Sequence, residues 1–241
     1  MVGEVVGRRD RAGVDCAADG GPDALDIGQR PDPFAEYRDR CSAWLDLVDV
    51  RPPMLEPDTA SHPPIPFEAL VDAGALAVHE APPTVSSAGG DTPMLTAKDV
   101  RLGRAPSRWG AADAPGAVAV RAGDVAVTIS GEPAVRVCTA DGALLGPGIR
   151  LVRADSAIDP HFLAGILRAA VEAAEGDHVD IYDVAVPRID PSEQRRYGRA
   201  FEQLTELETV FREQRANIGQ LARIGFGGLA AGTLRPVAGT E

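Results

Sequence analysis

Among the side chains able to do chemistry, the densest group is cationic. Residues 98–109 read Lys-Asp-Val-Arg-Leu-Gly-Arg-Ala-Pro-Ser-Arg-Trp, which sets Lys98, Arg101, Arg104 and Arg108 against one acid, Asp99. Arginine can fork two hydrogen bonds onto a phosphate or a guanine edge, and Ser107 and Trp109 add a hydroxyl and a stacking face. A run of this kind is either a solvated face or a contact for nucleic acid. Thr128 and Ser130 form a second group, hydroxyls at a strand end, where ordinary turn chemistry is the competing reading. Nucleophile elbows, phosphate-binding loops and paired-histidine zinc motifs are absent, and His62, His79, His161 and His178 are dispersed. Gly146-Pro147-Gly148 reads as a turn. No catalytic residue, metal ligand set or cofactor is expected, so the chain does not read as an enzyme.

The basic run is expected in a Gly- and Pro-containing loop leading into a sheet. Val118 and Val120, then Val125, Val127 and Ile129, then Val135 and Val137 recur at every second residue, the period of strands. Ala122-Gly123-Asp124 and residues 130–133 supply turns, Asp141-Gly142 a hairpin, and 149–153 a further strand. Asp159-Pro160 opens a helix with an N-cap acid and a proline in its first turn, and that helix buries Phe162, Leu163, Ile166, Leu167, Ala170, Val171 and Ala174. A strand carrying Tyr182, Val184 and Val186 ends at Pro187. The class is therefore α/β in the α+β sense: a mixed, mainly antiparallel sheet with flanking helices and a long C-terminal coiled-coil-type helix.

That last helix starts at Asp190-Pro191-Ser192-Glu193, a capping-box-like sequence. Ala200, Leu204, Leu207, Phe211, Gln214, Ile218 and Leu221 follow at alternating spacings of four and three, a seam of 3.5-residue period. The seam either lies across the chain's own sheet or meets a second long helix, and a polar Gln214 within it suits a helix pair. Glycines 225, 227 and 228 are expected to end it. Five segments result: a disordered tail over 1–33; a short helix and Pro-rich linker over 34–64; an α/β domain over 65–188; a long dimerisation or spacer helix over 189–225; and a C-terminal tail over 226–241.

The chain has 241 residues and a net charge of −12. Residues 1–90 hold 16 acids and 7 bases, whereas residues 91–160 hold 8 of each, so the acidity lies away from the basic run. A phosphate backbone answers to a local patch, and the whole-chain charge does not exclude it. No apolar run approaches the ~18 residues of a membrane span. The first residues lack the apolar core of a secretory signal, and Cys16, Cys41 and Cys138 form no paired motif. A cytoplasmic location is the expectation.

Several segments together resemble a known pattern. Asp159-Pro160-His161-Phe162-Leu163, then Val186-Pro187, then Pro191-Ser192-Glu193-Gln194 leading a long helix, and finally Gly228-Leu229-Ala230-Ala231-Gly232 stand in that order. Upstream lie Pro93-Met94-Leu95-Thr96-Ala97-Lys98-Asp99-Val100 and Arg121-Ala122-Gly123-Asp124-Val125-Ala126-Val127-Thr128. These are similar to the target recognition unit of type I restriction-modification specificity subunits, and to the C-terminal recognition domain of actinobacterial N6-adenine DNA methylases. The likeness covers roughly residues 66–236, about 70% of the chain. It implies a non-catalytic module whose α/β domain docks on double-stranded DNA while the long helix sets spacing and binds a methyltransferase subunit. A complete specificity subunit carries two such domains and two such helices; one of each is present here.

Three readings remain at this stage. The first is a recognition domain that directs a methyltransferase or restriction complex, with Lys98, Arg101, Arg104, Ser107, Arg108, Trp109, Thr128 and Ser130 on DNA. Leu204, Leu207, Phe211, Gln214, Ile218 and Leu221 would then face a partner helix, either the methyltransferase subunit's or a second copy's. The second is a truncated C-terminal part of an N6-adenine DNA methyltransferase. Against catalysis by it stands the absence of the Asn/Asp-Pro-Pro-aromatic tetrapeptide by which such enzymes hold a flipped base. The third is a protein-interaction module without DNA.

Overall fold

The computed structural model describes residues 32–45, 51–86, 90–128, 133–174 and 179–237. Ser130, His178, Cys16 and nearly all of the expected N-terminal tail lie outside these residues. Helices are α1 (Pro33–Leu45), α2 (Phe67–Asp72), α3 (Ala97–Leu102), α4 (Pro160–Ala173) and α5 (Pro191–Ala230). Strands are β1 (Pro64–Pro66), β2 (Leu76–Glu80), β3 (Thr92–Leu95), β4 (Arg108–Gly110), β5 (Val125–Thr128), β6 (Val135–Val137), β7 (Leu144–Leu145), β8 (Ile149–Ala154) and β9 (Ala185–Pro187). No described helix is long and apolar enough to cross a membrane. The chain divides into two compact units, Trp44–Gln220 and Met1–Ala43 with Leu221–Glu241.

In the larger unit, an antiparallel sheet of order β2-β8-β5-β6 separates two cores. Val125, Val127 and Val152 point to one side, where they meet Phe162, Leu163 and Leu167 of α4 and Phe67 of α2. Ala126, Ile149 and Leu151 point to the other, against Leu95, Val100 and Leu145. The alternation expected from the sequence is therefore present, yet both faces are covered, and all four residues of β5 are buried. A second sheet, β4-β3-β7, combines the antiparallel pair β3/β4 with the parallel pair β3/β7, and β1 pairs with β9. This is the mixed, mainly antiparallel α+β class expected.

Helix α4 begins as its sequence dictates. The Asp159 carboxylate accepts from the Phe162 N–H at 2.9 Å, and Pro160 needs no hydrogen-bond acceptor in the first turn. The start of α5 locks onto this cap. Gln194 is buried; its Nε2 donates to the Ile189 carbonyl at 2.9 Å, and its Oε1 accepts from the Asp159 N–H at 3.1 Å. A Cβ on Gly198 would lie 2.2 Å from Asp159 Oδ1, and one on Gly165 would lie 2.2 Å from the Phe201 ring. Two glycines thus let α4 and α5 approach closely.

Four local expectations are corrected. Residues 98–109 are not a loop but helix α3, a turn and strand β4. Residues 182–186 are not one strand: a 3-10 turn over Ile181–Asp183 precedes β9, and Tyr182 packs edge-on against Phe67. Around 118–120 there is only an isolated bridge, Ala119 to Leu144. Helix α5 passes through the glycine cluster to Ala230. In the smaller unit Gly225 faces Tyr37, Gly228 lies under Leu234, and the chain turns at Gly232 with φ +68°. The Thr233 and Leu234 N–H groups both donate back to the Gly228 carbonyl, so the helix end is satisfied beyond the glycines rather than at them.

Candidate nucleic-acid interface

The basic segment is built around a buried acid. Thr96 and Asp99 form a reciprocal capping box: Thr96 Oγ1 accepts from the Asp99 N–H at 3.2 Å, and Asp99 Oδ2 accepts from the Thr96 N–H at 3.0 Å. Asp99, with 0% of its surface exposed, also accepts from Thr96 Oγ1, from the Ser107 N–H at 3.2 Å and from Arg104 Nε at 2.6 Å. Burial alone would raise its pKa. The hydrogen bonds from Thr96, Ser107 and Arg104 outweigh that and hold the carboxyl well below the usual carboxylate range. Arg104 donates again to Ser107 Oγ at 3.0 Å, and Arg136 of β6 donates to the Arg104 carbonyl. Gly103, at φ +63°, closes α3 in the left-handed conformation.

This network sorts the expected DNA contacts. Arg104 and Ser107 serve the scaffold through Asp99. Thr128 is buried, and its Oγ1 accepts from the Ala134 N–H at 2.7 Å, closing the β5/β6 hairpin. Ser130 lies outside the described residues. Lys98 and Arg101 line a cleft of about 690 Å³ between α3, β6, α4 and α5, together with Arg136, Arg168 and Arg212. Arg108 and Trp109 stand exposed on β4, the edge of its sheet, opposite Met94 and Pro93 respectively.

Two carboxylates temper the cleft. Arg168 donates to Glu172 at 2.7 Å and to Glu208, and Arg212 donates to Glu208 at 2.8 Å. Burial would raise the Glu208 pKa, but Arg168 and Arg212 pull it below its ordinary value, so it stays ionised. Five cations against two carboxylates leave the cleft positive, a field that favours an anionic ligand. Arg136, Arg168 and Arg212 carry no signal in the sequence. They are single cations far apart in the chain, and only the strand and helix pairing collects them.

On α5 the expected seam is partly outward. Phe211 is 61% and Ile218 48% exposed and Leu204 is exposed too, while Leu207, Gln214 and Leu221 are half-buried. Tyr197 and Phe201, which lie outside the seam, pack against the larger unit's core. Among the described residues no cluster of His, Cys, Asp or Glu could hold a metal ion.

No protein-family model matches the chain, and no curated protein matches it in sequence. Solved structures do. The HsdS subunit from Thermoanaerobacter tengcongensis is 16% identical with a TM-score of 0.48, over 78% of this chain and 52% of that one. A chain from a study of complex assembly and conformational transition in the type I restriction-modification system is 18% identical, TM-score 0.48, over 82% and 53%. The type I restriction-modification S subunit from M. genitalium is 12% identical, TM-score 0.46, over 80% and 52%. The chain thus spans about half the length of the structures it matches. In fold, it is similar to the HsdS specificity subunits of type I restriction-modification systems.

Proposed function

We propose that the chain is a non-catalytic DNA-binding module, a target recognition domain that directs an adenine-N6 methyltransferase or restriction-modification complex to its site. The observation that carries this reading is the burial of Asp99. From residue 92 to residue 112 it is the only carboxylate, and it is enclosed and paired with Arg104. The segment therefore exposes Lys98 of α3 and Arg108 and Trp109 of β4, with no other carboxylate of its own between residues 92 and 112. The order of sequence segments described above supports the same reading. Bond-making is left to the partner polypeptide, with no cofactor held by this chain.

Helix α5 serves the partner. Its Leu204, Phe211 and Ile218 are too exposed to be core, and they suit a second helix, supplied by the methyltransferase subunit or by another copy of this chain. A cytoplasmic location follows from that role and agrees with the free thiols Cys41 and Cys138.

Fluorescence anisotropy on random-sequence duplexes, between 50 and 200 mM salt, tests the DNA reading. Wild type is expected to lose affinity steeply with salt. Removing three phosphate contacts in a K98A/R101A/R108A variant lowers the log–log slope by about 2.7. Salt-independent association with protein alone would favour the interaction-module reading. Transfer of a labelled methyl group to DNA by the purified chain would favour the methyltransferase fragment.

A further inference from the structure

We propose that the cleft between α3, β6, α4 and α5 seats the phosphodiester backbone of one DNA strand, and that Glu172 and Glu208 hold its affinity down by competing for the same arginines. The role rests on the DNA reading above. Five cations line the cleft against those two carboxylates, an excess of three positive charges. Both carboxylates are engaged within it: Glu172 with Arg168 at 2.7 Å, and Glu208 with Arg168 and with Arg212 at 2.8 Å. Lys98 is exposed on α3 and has no acceptor among the described residues. Arg136 uses Nη1 on the Arg104 carbonyl, which leaves its Nε and Nη2 without an acceptor among the described residues. The cations come from four elements of one compact unit, so the fold, and no single loop, brings them together.

The lining selects the chemistry of the ligand. It holds no aromatic ring, so a base has nothing to stack on, whereas arginine forks two hydrogen bonds onto a phosphate. A volume of about 690 Å³ is that of a small-ligand site, and it admits a stretch of one strand's backbone rather than a whole duplex. Duplex DNA offers about one charge per 1.7 Å of axis, a density that cations from several elements can engage together. Such a contact fixes register without reading sequence. The neighbouring hollow, past Arg136 and Arg168 toward Leu204, adds Glu202 and Glu206 to the same two carboxylates, and its lining is net negative. The groove is thus polarised, and an anion is directed to its α3 end. There Glu172 and Glu208 hold the arginine donors that a phosphate would take, so an incoming backbone must displace them.

The test uses the full chain and random-sequence duplexes over the same salt range. R136Q/R212Q removes two cations outside the 98–109 run and should lower the log–log slope by about 1.8. R136K/R212K keeps the charges and should restore the slope. E172Q/E208Q should act with the opposite sign and bind about fivefold more tightly at 50 mM salt, the effect of one unit charge about 4 Å from a phosphate in water. E172Q alone, whose side chain is 62% exposed on α4, should repeat that sign while leaving the Arg168–Glu208 tie between α4 and α5 intact. If wild type binds DNA and R136Q/R212Q matches its slope, or the glutamate variants bind no more tightly, the cleft is refuted while the DNA reading stands. If wild type binds no DNA at 50 mM salt, both fall. If R136Q/R212Q keeps DNA and loses a methyltransferase subunit, the phosphate seat is refuted and the cleft belongs to an acidic protein surface.

Discussion

Replacing Asp99 by Asn tests whether one buried carboxylate holds the candidate interface in shape. The amide keeps the side chain's size, so no cavity arises and the effect is electrostatic. Oδ2 accepts from Thr96 N–H, Thr96 Oγ1 and the Ser107 N–H, while Oδ1 accepts from Arg104. Asparagine can satisfy only one of these groups of donors. Its oxygen will take the three-donor side, which turns the NH₂ toward Arg104 Nε, donor against donor. The lost charge-assisted bond is worth about 1.5 kcal/mol, the lower end of its range because Arg104 is partly solvated, and the stranded amide N–H costs about 1–3 kcal/mol. The sum is about 3 kcal/mol, or about 6–12 °C in melting temperature for a chain of this size.

The pH dependence carries the sharper signature. Asp99 has a folded-state pKa below its unfolded value, so its contribution is fully present above the unfolded pKa of about 3.9 and disappears as pH falls below it toward the folded value. Thermal melts of wild type and D99N should therefore be separated by their full gap at pH 6 and converge below about pH 4. Coincident melting curves at pH 6, or a gap that persists undiminished to pH 3, would refute the argument that the ionised carboxylate organises residues 96–107.

Further expectations concern the scaffold and the helix. Gly198→Ala places a methyl against the Asp159 cap and should cost about 2 kcal/mol in a urea melt. Gly219→Ala, on the same helix with nothing within 4 Å, should stabilise by about 0.5–1 kcal/mol. Asp58 is held at about 2, first by the Tyr197 hydroxyl and then by the Ala60 N–H and His62. Carboxyl NMR titration of Y197F should find it moved up toward the ordinary value of about 3.9. Charging the outward seam with F211E/I218E should leave the monomer's stability within about 0.5 kcal/mol, since both side chains are exposed, while abolishing helix-mediated association in sedimentation. Unchanged association would remove the seam from the interface.

What was legible in the sequence followed the range of the interactions. The start of α4 was readable to the residue, because an N-cap acid and a first-turn proline act within three positions. The strands β5 and β8 were readable from apolar residues, although their second buried face was not, since Ala126 resembles a neutral outward residue. Helix α3 has a local signal, the Thr96-x-x-Asp99 capping box, but it is only six residues long, and Gly103 and Pro106 give the segment the composition of a loop. The glycine cluster at 225–228 misled because the smaller unit uses those glycines for close packing against Tyr37 and Leu234. At the interface, Lys98 and Arg101 were visible as a charge run. Which cation Asp99 would take, Arg104, is not legible from the charge run, because the pairing depends on the turn that brings residue 104 back to the start of α3.

The segments that carry the family likeness share a physical property. Asp99 caps α3 and accepts from Arg104. Asp124 accepts from the Arg121 N–H at 2.8 Å and forms a two-pronged pair with Arg153 at 2.9 and 2.7 Å. Asp159 caps α4, and Gln194 ties that cap to α5. Each takes up at least one main-chain polar group, and Asp99, Asp124 and Gln194 are buried where an unsatisfied group would cost the full desolvation penalty. Such residues cannot drift without unfolding a junction, whereas an exposed Arg108 or Trp109 can change at little cost to stability. A pattern of this kind identifies a scaffold and leaves its ligand open. Ligand specificity must therefore reside in the surface that these residues leave free, to which the exposed Arg108 and Trp109 of β4 belong.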